Sequence, residues 1–384
     1  MPAKHSFDVV VVGAGVFGAW TASRLQQSGK DVALIDAYGA GNSRSSSGDE
    51  SRIIRMGYGE DEIYTRAAWH SLQMWKDLCV RSGESLFHQT GVLWLEHNGD
   101  PYPSRSFETL TRVGIPVEKF SVAETTARFP QVSTEGLCGA YFEAESGVLM
   151  ARRAVQAVVR EAIKCGAAYF QHQVVAPQRA KILDGLEMSD GRRMAAGAYV
   201  FACGPWLPKL FPDLLADRIH PTRQEVFYFG APAGIRFKPP TLPTWIDFKE
   251  EAYGLPDVEG RGVKVAIDRH GEPFDPDSGD RVASAEGLAE VRRYLARRVP
   301  ELKDTPVSES RVCQYENTSN GDFLIDRHPD FENVWLAGGG SGHGFKHGPF
   351  VGEYVTARIE GTLAGVEPRF SFASKESRQQ RAVY

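Results

Sequence analysis

Cys313 stands ahead of a hydrophobic segment that leads to the turn Ser341-Gly-His-Gly-Phe-Lys346, so the run from Arg311 to Lys346 carries a thiol, cationic side chains and a glycine-rich backbone. A thiolate can bond to an electrophilic carbon, a cation can hold an anion, and glycine lets backbone N–H groups come close to a ligand. These are parts of a cofactor site. A second grouping lies near the start of the chain, in Gly13-Ala-Gly-Val-Phe-Gly18 followed by Asp36. Its spacing fits a dinucleotide-binding turn: Gly13 permits the tight turn, Gly15 the close approach of pyrophosphate, and Gly18 the packing of helix on strand. Val16 and Phe17 complete the turn, the helix N-terminus faces the phosphates, and Asp36 stands where a carboxylate accepts hydrogen bonds from a ribose.

Positioning these residues requires strands and helices in a definite order. Phe7 to Val12 is a β-branched run, Ala19 to Gly29 has helical character, and Asp31 to Asp36 returns as a strand, which makes a βαβ unit. Tyr64, Ala68, Leu72, Trp75 and Cys79 recur at three- and four-residue steps and mark the buried face of a helix over 60–81. Strands are expected at 90–96 and 139–143, where the chain leaves the nucleotide domain. It returns at Ser146-Gly-Val-Leu149, followed by a helix lined by Val155, Val158, Ala162 and Cys165 and a strand near 169–175. The strand at 199–202 ends in Cys203-Gly-Pro-Trp206, placing Cys203, Gly204 and the Trp206 indole where a parallel strand delivers groups to a cofactor, although packing alone also accounts for Trp206.

A proline- and aromatic-rich excursion follows from 208 to 311. It holds expected strands at 224–229 and 262–267 and an amphipathic helix at 284–298 with Leu288, Val291 and Leu295 inward. Arg292, Arg293, Arg297 and Arg298 on that helix read as a solvated face rather than a phosphate-binding patch, since no aromatic platform accompanies them. A last strand at 333–337 runs into Gly338-Gly-Gly-Ser-Gly342 and a helix at 346–361, whose N-terminus offers about half a positive charge. The expected fold is α/β with an α+β second domain. A Rossmann-like nucleotide domain (1–85, 146–210 and 320–384) is interleaved with a substrate domain on a mixed or antiparallel sheet (86–145 and 211–319).

The 384 residues are 42% hydrophobic and 24% charged, the composition of an ordinary globular protein, and a net charge of −5 gives no general attraction to nucleic acid or anionic membranes. Five unpaired-looking cysteines indicate reduced thiols and a cytoplasmic protein, and the N-terminus carries no leader pattern. The tail Arg381-Ala-Val-Tyr384 matches no targeting signal. His343 and His347 stand four apart, but with no Glu between them and no third ligand they are read as cavity lining rather than metal ligands.

Taken together, the residues resemble the monomeric sarcosine oxidase and N-methyltryptophan oxidase family of flavoproteins, within the glycine/D-amino-acid oxidase group, over nearly the whole chain. The resemblance rests on Gly13–Gly18, Gly48-Asp-Glu-Ser-Arg52-Ile-Ile-Arg55, Tyr58-Gly-Glu60 and Ser146-Gly-Val-Leu149. It continues through Gly262-Val-Lys264, Val312-Cys313-Gln-Tyr315, Asp326-Arg-His-Pro329 and Ser341–Lys346. It implies FAD as cofactor, joined covalently through Cys313, whereas Cys79, Cys138 and Cys165 are read by default as buried structural cysteines. Arg55 and Lys346 match the pair that holds a substrate carboxylate. Lys264 matches the lysine that supports reaction of reduced flavin with oxygen, with Arg52 as a second cation on that side, and His343, Tyr315 and Tyr253 match cavity-lining positions. Further cofactor contacts are expected from Ser43, Arg52, Gly338, Gly340, Gly342, Gly344 and Lys346. The pattern departs at Asp268, where sarcosine oxidases carry a histidine.

The implied reaction is oxidation of an N-alkyl or cyclic secondary amino acid to an imine, hydrolysed to amine and aldehyde, with oxygen reduced to hydrogen peroxide by a monomeric enzyme. Alternatives are a dehydrogenase of the same fold that passes electrons to another acceptor, a flavin-dependent tRNA-modifying enzyme, which the acidic charge balance disfavours, and a non-catalytic nucleotide-binding protein.

Overall fold

The structure is a computed structural model that describes residues 6–376. The first five residues and the tail containing Arg381-Ala-Val-Tyr384 lie outside the described residues. Two large sheets organise the chain. In the first, Ser6–Val12, Val32–Asp36, Ala168–Gln171, Arg193–Phe201 and Val334–Gly338 pair in parallel. Leu324–Arg327 joins antiparallel at one edge. Val9 to Val12 and Val32 to Ile35 are buried without alternation, as strands covered on both faces must be. Helices Val16–Gln27 and Gly348–Glu360 share the core on one face.

Ser6–Val12 lies between Val32–Asp36 and Arg193–Phe201, so the chain winds away from it in both directions and a crevice opens at the carboxyl ends of the strands. All the groups that the sequence places at strand ends therefore converge there.

The second sheet runs in the order Val307–Thr318, Ile219–Phe229, Val263–Ile267, Ala252–Leu255, Thr244–Asp247, Val92–His97, Leu137–Glu143, Glu118–Phe120. It is antiparallel except where Thr244–Asp247 meets Val92–His97. Its register is chemically informative. Tyr253 faces Ala266, Lys264 faces Tyr228, Gln224 faces Cys313 and Thr222 faces Tyr315. With the two-residue period of a strand, this puts Tyr253, Lys264, Cys313 and Tyr315 on one face. The opposite face, with Phe227, Phe229, Val263 and Val265, packs on Val291, Tyr294 and Leu295 of helix Ala285–Arg298, which Ser284 caps by accepting from the Gly287 amide at 3.0 Å.

Three expectations are corrected. Helix Ala151–Lys164 ends before Cys165, which is exposed beyond its last turn rather than on its apolar face, and Cys138 is exposed at the edge of strand Leu137–Glu143; of these three cysteines Cys79 alone is partly buried among apolar neighbours. Arg298 is no part of a solvated face. It is 5% exposed and donates to Asp247 at 3.0 Å and to the Ser133 carbonyl at 2.6 Å, supplying a countercharge for an aspartate buried inside the sheet. Among the described residues, no helix is long and apolar enough to cross a membrane.

Candidate active site

The crevice of the parallel sheet is a cavity of about 490 Å³, lined by Val12, Gly13, Asp36, Ala202, Cys203 and Ala337 at strand ends. The glycines divide their work as their spacing predicts. A Cβ on Gly13 would stand 2.3 Å from the Ala202 carbonyl oxygen and one on Gly18 only 1.8 Å from that of Gly13, so both are closed by packing. A Cβ on Gly15 would meet only the Ser47 hydroxyl, at 3.5 Å, and Gly15 lines the cavity together with Val16 and Phe17. Asp36 spends both carboxylate oxygens on the turn itself, accepting from the amides of Ala14 (2.8 Å), Tyr38 (2.8 Å) and Gly39 (2.9 Å), and also lines the cavity. Burial raises its pKa against those hydrogen bonds. Trp206 lines the cavity with its indole N–H on Asp277 at 2.7 Å, and Gly204, Gly340, Gly342 and Gly344 line it too.

At one end the cavity meets a second, of about 370 Å³, and Arg52, Tyr315, Gly342 and Phe345 line both. Cys313 lies at the junction, its Sγ 3.0 Å from Arg52 Nη2. Arg52 also reaches Asp49, as does Lys264, whose Nζ further donates to the Ser51 carbonyl at 2.9 Å. Burial works against the Asp49 carboxylate, but Lys264 and Arg52 outweigh it and hold its pKa well below the usual range. The cluster is therefore an ion triad rather than two free cations.

Inside the second cavity stand Arg55 and Lys346, 7% and 4% exposed. Glu143 fixes the backbone beside Arg55, accepting from the amides of Met56 (2.7 Å) and Gly57 (2.9 Å) and from the Trp94 indole (2.7 Å). The guanidinium packs over Tyr58 and Trp94, with ring centroids at 4.5 and 5.0 Å. Lys346 Nζ donates to the His343 carbonyl at 2.9 Å. Burial, reinforced by Arg55, lowers its pKa well below the ordinary lysine value; Asp268 and Glu143 offset this only in part. Two buried cations that repel one another form a receptor for an anion, and a carboxylate fits the fork of the guanidinium. Tyr253, His343, Tyr315 and Lys264 line the same cavity. Tyr315 donates to Asp268 at 2.5 Å.

A family model described as FAD dependent oxidoreductase matches residues 8–358. The chain belongs to that family. Monomeric sarcosine oxidase of Bacillus sp. (strain NS-129) is 30% identical over 354 residues, 90% of this chain and 91% of that protein. N-methyl-L-tryptophan oxidase of Citrobacter koseri is 26% identical over 360 residues, 92% of this chain and 95% of that one. Among solved structures, L-proline dehydrogenase from P. horikoshii shares the fold, with a TM-score of 0.85 at 23% identity over 96% of this chain and 98% of that one. The protein is an FAD-dependent amine oxidoreductase of sarcosine oxidase-like type, the family its motifs indicate.

The parallel-sheet cavity fits FAD on its own evidence. The Gly15 backbone is open to it, the acid of the fingerprint closes its second strand, and the Ser46 hydroxyl and one Glu316 oxygen on its wall are buried with no partner among the described residues. Five expected contacts fall outside it. Ser43 is exposed, and Ser45, Ser46 and Ser47 line the wall instead, because the loop turns back so that Ser47 accepts from the Val16 amide at 3.0 Å. Gly18 and Gly338 serve packing, a Cβ on Gly338 standing 2.3 Å from Leu207. Cys313 and Lys346 line the second cavity rather than the first.

The structure adds Asp49, Glu143, Glu316 and Tyr58, and it corrects His347, which is fully buried and, unlike His343, lines neither cavity. Tyr58 OH sits between His343 Nδ1 (3.1 Å) and His347 Nε2 (2.7 Å), and burial, then Lys346, lowers the His347 pKa so that it stays neutral. Among the described residues, no group of three or more His, Cys, Asp or Glu side chains could hold a metal ion.

Proposed function

We propose that the enzyme oxidises the C–N bond of a secondary amino acid, N-alkyl or cyclic. The amine becomes an imine, oxygen takes the two electrons and two protons to give hydrogen peroxide, and water splits the imine of an N-alkyl substrate into amine and aldehyde. The observation that carries this reading is the pair of buried cations, Arg55 and Lys346, in a cavity that shares a wall with the FAD cavity. Bound FAD supplies the two-electron acceptor.

The chain's own residues bind and orient. Arg55 and Lys346 hold the carboxylate, so the carbon beside nitrogen is carried toward the shared wall of Arg52, Tyr315, Gly342 and Phe345. Tyr253, Tyr315 and His343 enclose it and exclude water. Arg52 lies against the Cys313 sulfur, which suits covalent attachment of the cofactor there. Lys264, with Arg52, places positive charge where oxygen reduction develops an anion. The names of the related oxidases support the substrate class, and we place the enzyme in the cytoplasm as a monomer.

Assays of peroxide release across N-methyl and cyclic secondary amino acids test the reading. Arg55→Met should lower kcat/KM by roughly 100-fold, since charge-assisted hydrogen bonds are worth about 1.5–3 kcal/mol each. Failure of every such amine to bleach the flavin anaerobically overturns it. Colour that remains with the denatured polypeptide, and is released after Cys313→Ala, establishes the attachment; free flavin from the unaltered protein refutes it.

The dehydrogenase reading has one observation in its favour. Lys264 is ion-paired to Asp49, which neutralises much of the charge oxygen would meet. Bleaching by substrate with no peroxide in air would select it.

A further inference from the structure

Glu316 is a buried acid on the wall of the FAD cavity whose chemistry the reading above leaves unused. It sits on strand Val307–Thr318, three residues after Cys313, and is 8% exposed. The amides of Gly340 and Gly339 favour the ionised form of its carboxyl, while Oε2 has no partner among the described residues. Glycines make this seat. An added Cβ would stand 3.3 Å from Oε2 at Gly338, 3.3 Å from Oε1 at Gly340 and 3.7 Å from Oε2 at Gly204, whose φ of +53° also favours glycine. The titratable group facing it is the Cys203 thiol. The paired strand puts Pro221 opposite, and the glycine turn brings no charge.

An unpaired carboxylate is costly to bury, so a site of this kind keeps its proton. Burial raises the Glu316 pKa to about 7, against the pull of the two amides. The proton belongs on the unpartnered Oε2, which then becomes a hydrogen-bond donor on the cavity wall. FAD, with its phosphates, hydroxyls and ring carbonyls, offers acceptors along its length.

We propose that Glu316 is a cofactor-binding residue whose free carboxyl oxygen donates a hydrogen bond to FAD in the parallel-sheet cavity. The proposal rests on FAD occupying that cavity. Binding then retains a proton on Glu316, and affinity falls as pH rises through the range where the free protein would release it.

The test uses Cys313→Ala protein, in which FAD binds reversibly whatever Cys313 does, and follows the Kd by flavin fluorescence from pH 6 to pH 9. The parent should lose affinity by about tenfold or more across that range. Glu316→Gln, which keeps a donor and cannot ionise, should bind about as tightly at pH 6 and lose less than threefold by pH 9. Glu316→Ala should bind at least about tenfold more weakly at pH 6. The difference between parent and Gln separates Glu316 from His172 and Cys203, which also line the cavity. Parallel pH profiles for parent and Gln overturn the proposal, and they decide the matter even if the Ala variant does not fold. A parent that binds no FAD at any pH overturns both this proposal and the assignment of the cavity.

Discussion

Asp268 makes the charge of the second cavity depend on pH. Burial raises its carboxyl from 3.8 to about 6, although the Tyr315 hydroxyl, Arg55 and Lys346 all favour the ionised form. Below pH 6 the cavity presents two cations and a neutral acid; above it, an anion competes for the same cations. For stability the sign is that of an acid whose folded pKa is raised. The native protein holds a proton that the unfolded chain releases near pH 4, so this contribution is present below pH 4 and is lost as pH rises through about 6. For binding, a simple carboxylate such as propionate should inhibit several-fold more weakly at pH 8 than at pH 5, and Asp268→Asn should flatten that dependence. An inhibition constant equally pH-dependent in the Asn variant would remove Asp268 from the cavity's charge balance. Sequence exposed this position only as a departure from a pattern. Asp49, Glu143 and Glu316 were less legible still, because each looks like an ordinary charged residue in a strand or loop. Their roles come from burial against partners far away in the chain, such as Lys264 for Asp49 and Trp94 for Glu143. Spacing cannot encode such contacts, whereas Gly13, Gly15 and Gly18 form a local turn and are readable at once.

Elements whose signal is local follow the same division. The strand at the start of the chain, the fingerprint helix and the last strand–turn–helix were all legible from β-branched runs and glycine spacing, and they lie at Ser6–Val12, Val16–Gln27, Val334–Gly338 and Gly348–Glu360. The closeness of the two helices was not. A Cβ on Gly352 would fall 2.7 Å from the Trp20 backbone carbon and oxygen, and one on Gly348 would fall 2.5 Å from Val16. These glycines therefore set the distance between the helix that follows the fingerprint and the helix that follows Lys346, and with it the alignment of the two cofactor-facing turns. Gly352→Ala forces the helices apart, because the clash is with backbone and no rotamer relieves it. The expected cost is about 1–3 kcal/mol, the usual range for overpacking, although alanine's higher helix propensity returns part of it. Urea unfolding would measure this, with a parallel loss of FAD affinity. An unchanged midpoint would mean that the helix contact yields without strain.

At the scale of the molecule, the strand ends of the parallel sheet line the larger cavity and the mixed sheet lines much of the second, and the two are joined through a shared wall of four residues. Arg52 comes from the short strand Arg52–Ile54, Tyr315 from the long strand of the mixed sheet, and Gly342 and Phe345 from the turn after the parallel sheet. Charge placed in one cavity is therefore felt in the other across a few side chains in a poorly solvated interior, where screening is weak. Acetate binding between Arg55 and Lys346 should perturb the visible absorption of bound FAD in a saturable way, although acetate has no amine to oxidise. Arg55→Met should raise the apparent Kd for acetate by at least about tenfold, the loss of one charge-assisted interaction of roughly 1.5 kcal/mol or more. The unaltered flavin spectrum of the variant would show that its cofactor cavity is intact. Saturable inhibition by acetate with no spectral change would mean that the carboxylate is held too far from the shared wall for the two cavities to act as one site.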